Sequence, residues 1–331
     1  MSPEMTNTFD LVVNTINKKY GKGTLQSFED KVVVDPDSII STGSIGIDIA
    51  LGIGGYKKGR IIEIIGNPSS GKSTLCLHAI ANIQAKGGRG VIIDTEHSFD
   101  PLYASNLGCD MSSLLISQPD CAEDALEIAN TLVKSGEVDL IIVDSVAALV
   151  SRSELEGEVG DQSIGKQARL MSQAMRMIVG NANKTECSVI FTNQWRANIG
   201  GFGHSPSKVQ SGGNALKYYA SMRLEVVSVG QEKEGDKVIG NKTKVKIIKN
   251  KLAPPFREAD FIIKFGIGIH KDQEILDLAL EDDLIKKSGA WYKYKEESIA
   301  QGKIRAVEWL NENIEIKEEF MKEILANRGL V

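Results

Sequence analysis

The 331-residue chain lacks any apolar run long enough to span a bilayer, which excludes a helical membrane protein. Its first ten residues, Met1 to Asp10, show neither the basic start nor the apolar stretch of a secretory leader, so the expected address is the cytoplasm. Cysteine is scarce. Cys76, Cys109, Cys121 and Cys187 stand far apart with no C-x-x-C pair, which speaks against a disulfide framework or a zinc site and for reduced core thiols. A basic excess is missing as well: 39 Lys and Arg face 44 Asp and Glu, for a formal charge of -5. Such a chain does not coat nucleic acid by bulk charge, and any DNA contact must come from local basic groups.

What is present is ordinary for a globular protein, with 42% hydrophobic and 25% charged residues. The length allows one main domain with smaller appendages. Residues 1–36 form a segment apart, with an amphipathic helical pattern (Phe9, Leu11, Val12, Ile16, Tyr20) followed by an apolar strand at Val32 to Val34. A segment this small must pack on something, in its own subunit or in a neighbour. Residues 37–270 read as α/β: continuous Ile and Val strands at 60–65, 90–94, 139–144 and 188–193 alternate with helices at 72–86, 122–135 and 165–183. Strands with polar alternation at 221–229 and 243–250, joined by a turn at 230–241, predict an antiparallel extension of a mostly parallel sheet. Residues 271–331 predict a small α-rich C-terminal domain with helices at 274–282, 303–313 and 317–327.

The strongest motif is Gly66-Asn67-Pro68-Ser69-Ser70-Gly71-Lys72-Ser73, which fits G-x-x-x-x-G-K-[ST] with a buried strand before it and a helix after it. Backbone N–H groups of such a loop wrap phosphates, and the helix N-terminus adds the positive end of its dipole. Lys72 neutralises phosphate charge, Ser73 offers a hydroxyl to Mg2+, and Thr74 extends the nucleotide-binding set. The strand Leu140-Ile141-Ile142-Val143 ends in Asp144, the arrangement of a Walker B carboxylate that would hold Mg2+ through water. Hydrolysis also needs a group to orient and deprotonate water. The strand running into Asp94-Thr95-Glu96 offers two candidates, and alternation puts both on one side, so position alone leaves Asp94 and Glu96 open. His97 reads as a polar neighbour.

Taken together, these motifs resemble the bacterial RecA recombinase family. The likeness is carried by Ile40-Ser41-Thr42-Gly43-Ser44, by Asp94-Thr95-Glu96-His97 followed by Asp100-Pro101, and by Val143-Asp144-Ser145-Val146-Ala147-Ala148-Leu149. Glu156-Gly157-Glu158-Val159-Gly160-Asp161, Met171-Ser172-Gln173-Ala174-Met175-Arg176, Gly212-Gly213-Asn214-Ala215-Leu216-Lys217, Lys249-Asn250-Lys251 and Gly289-Ala290-Trp291-Tyr292 continue it, so it covers nearly the whole chain. The resemblance implies that Glu96 activates water, that Asp100 and Tyr103 contact adenine, and that Phe265 stands where the family places a tyrosine against the base. It implies that Gln194 senses the γ-phosphate and leads into a DNA-binding loop. Lys249 and Lys251 would reach the γ-phosphate from the adjacent subunit, as an arginine finger does elsewhere. ATP would then lie between subunits, and activity would require a filament.

Two loops are the candidate DNA contacts. Residues 195–213 are rich in Gly and Ser between a strand and a helix, a length that marks function or disorder. Arg196 and Lys208 could track a phosphate backbone, Trp195, Ile199 or Phe202 could wedge or stack against bases, and Gly212, Gly213 and Asn214 close the loop. Residues 156–165 are acidic, yet by resemblance they contact DNA through backbone N–H groups with Arg169 and Arg176 nearby. Ile164 stands there where the family commonly has a methionine. By resemblance Lys287 and Lys303 capture duplex DNA. The implied function is an ATP-dependent recombinase. It forms a helical filament on single-stranded DNA, hydrolyses ATP with Mg2+, pairs the strand with a homologous duplex, and stimulates self-cleavage of a LexA-type repressor. A hexameric helicase and a regulatory filament protein without strand exchange are the rival readings of the same core.

Overall fold

Runs of β-branched residues buried on both faces form the centre of the chain. The structure, a computed structural model, describes residues 8–21, 24–25, 35–158, 165–197 and 208–330. Nine strands make the main sheet, in the order Gly268–Ile269, Glu258–Lys264, Lys237–Asn250, Met222–Glu234, Ile61–Gly66, Ser188–Asn193, Leu140–Asp144, Gly90–Asp94 and Leu115–Ser117. From Met222–Glu234 to Leu115–Ser117 neighbouring strands are parallel, and the remainder are antiparallel. This is the mostly parallel sheet with an antiparallel extension that the hydrophobic pattern predicts.

Alternation along the strands feeds two cores. Ile62, Ile64, Ile142 and Ile190 pack with Leu75 and Ile80 of helix Lys72–Ala85. On the other face Val143, Val189 and Phe191 pack with Ala129 of helix Ala122–Ser135 and with Met175 and Ile178 of helix Lys166–Thr185. Each such aliphatic side chain contributes about 1.5–3 kcal/mol by leaving water, so the strand ends that carry functional groups rest on a rigid floor. The four cysteines are free and buried.

Two departures from the sequence reading have a common cause. The region expected to be a turn at 230–241 is mostly strand: Met222–Glu234 and Lys237–Asn250 pair along their whole length and reverse at Gly235, whose φ is 59°. In the C-terminal part, helices Lys271–Glu281, Lys303–Glu312 and Ile314–Ala326 are joined by an antiparallel three-stranded sheet, Lys286–Ser288, Trp291–Tyr294 and Glu297–Gln301. Both features are short or exposed ribbons rich in charged residues; the C-terminal strands bury only single positions such as Tyr292 and Ala300, too few for the apolar alternation that betrays a strand.

The C-terminal part has its own core, built on Ile275, Leu276, Tyr292, Leu310, Phe320 and Ile324. Ile45 and Ile49 of helix Ile45–Leu51 pack against that core, and Glu274 Oε1 accepts from Ser44 Oγ and from Gly46 N at 2.8 Å. Residues 1–36 form a separate N-terminal unit. Its helix Thr8–Tyr20 has no buried residue, and Asn17 holds Leu25 through both its side-chain atoms at 2.8 and 2.9 Å. The strand expected at Val32 to Val34 lies outside the described residues. Among the described residues no helix is long and apolar enough to cross a membrane.

Candidate active site

The phosphate loop runs from strand Ile61–Gly66 into helix Lys72–Ala85, and two glycines make its shape possible. A Cβ on Gly66 would lie 2.4 Å from the Val226 carbonyl oxygen, and one on Gly71, where φ is 102°, would lie 2.3 Å from Ile263 Cδ1. Gly71 is the N-cap residue, and the helix start has no side-chain cap, so its first N–H groups face the loop for an anion to satisfy. Ser70 Oγ is buried with no partner among the described residues, a second polar atom left for a ligand oxygen. Lys72 Nζ donates to the Asn67 carbonyl at 2.9 Å, and burial lowers its pKa against the opposing pull of Asp144 and Glu96.

The Walker B strand brings Asp144 to this loop. Ser73 Oγ donates to Asp144 Oδ2 at 2.6 Å, and Thr192 Oγ1 donates to Asp144 Oδ1 at 2.6 Å. Burial pushes the Asp144 carboxyl above its ordinary range, opposed by those two hydrogen bonds. Among the described residues no group of three or more His, Cys, Asp or Glu side chains gathers to hold a metal. One carboxylate and one hydroxyl at a phosphate loop suit a small hard cation whose other ligands are water and phosphate.

Asp94 and Glu96, left level by alternation, are separated by the structure. The strand stops at Asp94, which is 3% exposed. Its Oδ1 accepts from Glu96 N at 3.1 Å, and its Oδ2 accepts from Phe99 N at 3.1 Å and Gln118 Nε2 at 3.0 Å. Asp94 therefore shapes the turn that presents Glu96. Glu96 is exposed, and its Oε1 accepts from Ser145 Oγ and from Gln194 Nε2 at 3.1 Å. His97, with a φ of 54°, lies in the same turn.

The expected adenine contacts are near the loop but differ in freedom. Tyr103 OH and Thr74 Oγ1 share a hydrogen bond of 2.9 Å. Asp100 Oδ1 caps helix Pro101–Asn106, accepting from Leu102 N and Tyr103 N at 2.9 and 3.1 Å. Asp100 and Tyr103 line one cleft with Ser73, Asp94 and Asp144. Phe265 follows strand Glu258–Lys264 at the end where Ile263 meets Gly71, and it is 56% exposed.

Lys249 and Lys251 are not at this chain's own phosphate loop. Lys249 pairs with Arg223, and Arg223 with Glu63, whereas Gly66 pairs with Val226. The register thus leaves Lys249 about 10 Å short of the loop along the strand direction. Lys249 Nζ donates to the carbonyls of Lys217 and Tyr218 at 2.7 and 3.0 Å, and burial, with Lys251 and Arg223, lowers its pKa to about 8.

The candidate DNA residues separate into exposed cations and packed glycines. Arg169 and Arg176 are exposed on helix Lys166–Thr185, and Lys208 is exposed on strand Lys208–Gln210, which pairs with Trp195–Ala197. Arg196 Nη2 donates to the Ala147 carbonyl at 3.2 Å, and Trp195 Nε1 donates to Glu225 Oε1 at 2.9 Å. Gly212 and Gly213 have φ of 77° and 71°, and a Cβ on them would lie 2.6 Å from Val146 Cγ1 and 2.7 Å from Ala168 Cβ. They set the loop's return against the helix, followed by Asn214 at the start of helix Ala215–Tyr219. Lys287 Nζ lies 5.5 Å from the Tyr292 ring centroid, while Lys303 pairs with Asp277 at 2.8 Å. Ile164, Ile199 and Phe202 lie outside the described residues.

Sequence reasoning left Thr192, Ser145 and the buried polar trio Glu63, Asn193 and Arg223 without roles. Ser145 adjoins Asp144 and Thr192 sits two positions before Gln194, which was the only local signal.

Residues 7–270 match the family described as the RecA N-terminal domain, and residues 273–329 match the RecA C-terminal domain. Protein RecA of Acinetobacter baumannii is 51% identical over 98% of this chain and 92% of its own length. Protein RecA of Campylobacter fetus subsp. fetus is 50% identical over 99% of this chain and 95% of its own length. The crystal structure of the RadB recombinase shares the fold, with a TM-score of 0.52 and 23% identity over 70% of this chain and 98% of that one. The chain belongs to the RecA family of DNA recombinases, which are DNA-dependent ATPases.

Proposed function

We propose that this chain hydrolyses ATP with Mg2+ at the Gly66–Ser73 loop, with Glu96 as the residue that orients and deprotonates water. One observation carries the reading: Gln194 Nε2 donates to Glu96 Oε1 at 3.1 Å, and the next residue, Trp195, opens the stem of the second loop. The candidate base and the candidate DNA loop thus share a hydrogen bond. DNA that displaces the loop changes the company of the base.

The unpartnered Ser70 hydroxyl and the uncapped helix start support a bound triphosphate. Ser73 and Asp144 would hold the cation, which favours the ionised Asp144 that burial alone disfavours. When bound, the cation supplies charge neutralisation at the β- and γ-phosphate oxygens. Lys72 adds a second positive charge there. Tyr103, Asp100 and Phe265 flank the base.

Lys249 and Lys251 act across a subunit boundary, because their own phosphate loop is out of register reach. Residues 1–36 dock on the next subunit, residues 37–270 form the ATPase core, and residues 271–331 form the third part. Strand Leu115–Ser117 is a sheet edge with Leu115 64% exposed, the kind of edge that a strand from another chain covers. Such a head-to-tail contact does not close, so it builds a helical filament. Arg169, Arg176, Arg196 and Lys208, with Ile164, Ile199, Phe202, Gly212, Gly213 and Asn214, line the single-stranded DNA path, and Lys287 and Lys303 meet the homologous duplex. The filament acts in the cytoplasm and also stimulates self-cleavage of a LexA-type repressor.

Steady-state ATP hydrolysis, with and without single-stranded DNA, tests this reading beside Glu96→Gln. The expected result is strong stimulation by DNA, and a loss of about 10²–10⁴-fold in the variant with nucleotide binding retained. Equal rates with and without DNA contradict it.

A further inference from the structure

A charged cluster is buried between the phosphate loop and the second DNA loop, and the chemistry described so far makes no use of it. Glu63 lies on strand Ile61–Gly66, three residues before Gly66, and is 0% exposed. Its Oε2 accepts from Arg223 Nε at 2.5 Å, and its Oε1 accepts from Asn193 Nδ2 at 2.8 Å. Arg223, 7% exposed, extends Nη2 to Gln210 Oε1 at 2.6 Å. Asn193 extends Nδ2 to the Ser211 carbonyl at 3.1 Å, and its Oδ1 accepts from Gln194 N at 2.8 Å.

Asn193 and Gln194 stand immediately before the hairpin Trp195–Ala197 and Lys208–Gln210, while Gln210 and Ser211 stand at its end. A single carboxylate therefore reaches both ends of that stem, one through Asn193 and the other through Arg223. A buried ion pair is a costly way to fill a sheet, since apolar side chains of equal volume hold a sheet as well. Among the described residues the pair's further side-chain partners flank or form the stem: Asn193 lies two positions before its first strand, and Gln210 ends its second. Lys249, level with Arg223 in the register, feels the same cluster.

We propose that Glu63 and Arg223 are positioning residues that fix the stem of the second loop against the strand leading into the phosphate loop, so that DNA stimulation of hydrolysis depends on them. The proposal rests on the reading of the second loop as a DNA contact. It adds a route beside the Gln194–Glu96 hydrogen bond, running through the interior of the sheet.

Gln210 is the accessible link, because it accepts from Arg223 without belonging to the ion pair. In Gln210→Leu the guanidinium loses its stem partner while Glu63 and Arg223 remain paired. ATP hydrolysis by the full chain, with and without oligo(dT), gives the readout, alongside the KM for ATP and the melting temperature. The expected result for Gln210→Leu is an unchanged DNA-independent rate and KM, with DNA-stimulated kcat reduced about tenfold, within the ordinary range of coupling between sites. Gln210→Glu restores an acceptor for Arg223 while still lacking the 2.9 Å donation from Gln210 Nε2 to the Gly213 carbonyl, and it should recover most of the stimulation. Stimulation unchanged in Gln210→Leu overturns the proposal. So does an equal fall in both rates with a lowered melting temperature, or a failure of Gln210→Glu to recover. If the unchanged chain shows no stimulation by oligo(dT), the DNA-contact reading itself fails and the proposal falls with it.

Discussion

The nucleotide end of the sheet and the surface proposed to face DNA are built on opposite principles. Around the phosphate loop the functional polar groups, from the buried Asp94 to the exposed Glu96, are held in place by one another: Ser73 and Thr192 on Asp144, Ser145 and Gln194 on Glu96, Asp94 on the turn between them. On the DNA side Arg169, Arg176 and Lys208 are exposed on a helix face and a strand. Phosphoryl transfer gains from groups fixed before the reaction begins, because reorganisation is what slows it. Backbone binding gains from charges that adapt, since its energy comes from released counterions rather than from fixed geometry. The net charge of -5 is no obstacle once the cations sit locally.

The contrast breaks most visibly at Lys72. Lys72→Ala should lower kcat/KM for ATP by about a thousandfold or more, measured as steady-state hydrolysis, because a charge built to meet the phosphates is removed. A loss of less than tenfold would mean that the loop's backbone carries the site alone. A middle-sized effect is expected on the DNA side. Arg169→Ala and Arg176→Ala should each weaken single-stranded DNA binding uniformly across sequences and reduce the salt slope of log K by about 0.7. Equal salt slopes in variant and parent would remove these residues from the DNA path.

Part of this contrast was legible before any coordinates. The phosphate loop is written in eight adjacent residues, so spacing alone specifies it. The choice between Asp94 and Glu96 came only from the family resemblance, because alternation assumes that the strand continues, and the strand ends at Asp94. The buried cluster was invisible for another reason: Glu63 and Arg223 are 160 residues apart, and nothing local to either predicts the pairing. The outer hairpin and the C-terminal sheet escaped because most of their residues are polar or exposed, where pattern carries little weight against turn and helix signals.

A smaller effect concerns the joint between the core and the C-terminal part. Burial raises Glu274 to about 7 and Asp48 to about 7, and Glu274 Oε2 has no hydrogen-bond partner among the described residues. A carboxyl whose folded pKa lies above its unfolded value stabilises fully below the unfolded pKa, and that contribution fades as pH rises through the folded one. The window for Glu274 therefore runs from the ordinary glutamate value of 4.5 up to about 7. Glu274→Gln cannot ionise, so its melting temperature relative to the parent should be higher at pH 8 than at pH 5. A difference that does not change with pH would show that Glu274 titrates in the fold as it does in water.

In the proposed filament each nucleotide site is completed by the next subunit, because the register holds Lys249 and Lys251 away from their own loop. Mixing tests it most directly. Glu96→Gln subunits and Lys249→Ala/Lys251→Ala subunits, each inactive alone, are combined in equal amounts on single-stranded DNA and assayed for ATP hydrolysis. In a head-to-tail filament about a quarter of random interfaces pair an intact Glu96 with intact lysines, and the mixture should recover up to that share of the parent rate. A mixture as inactive as its two components would contradict the account and return both lysines to their own subunit.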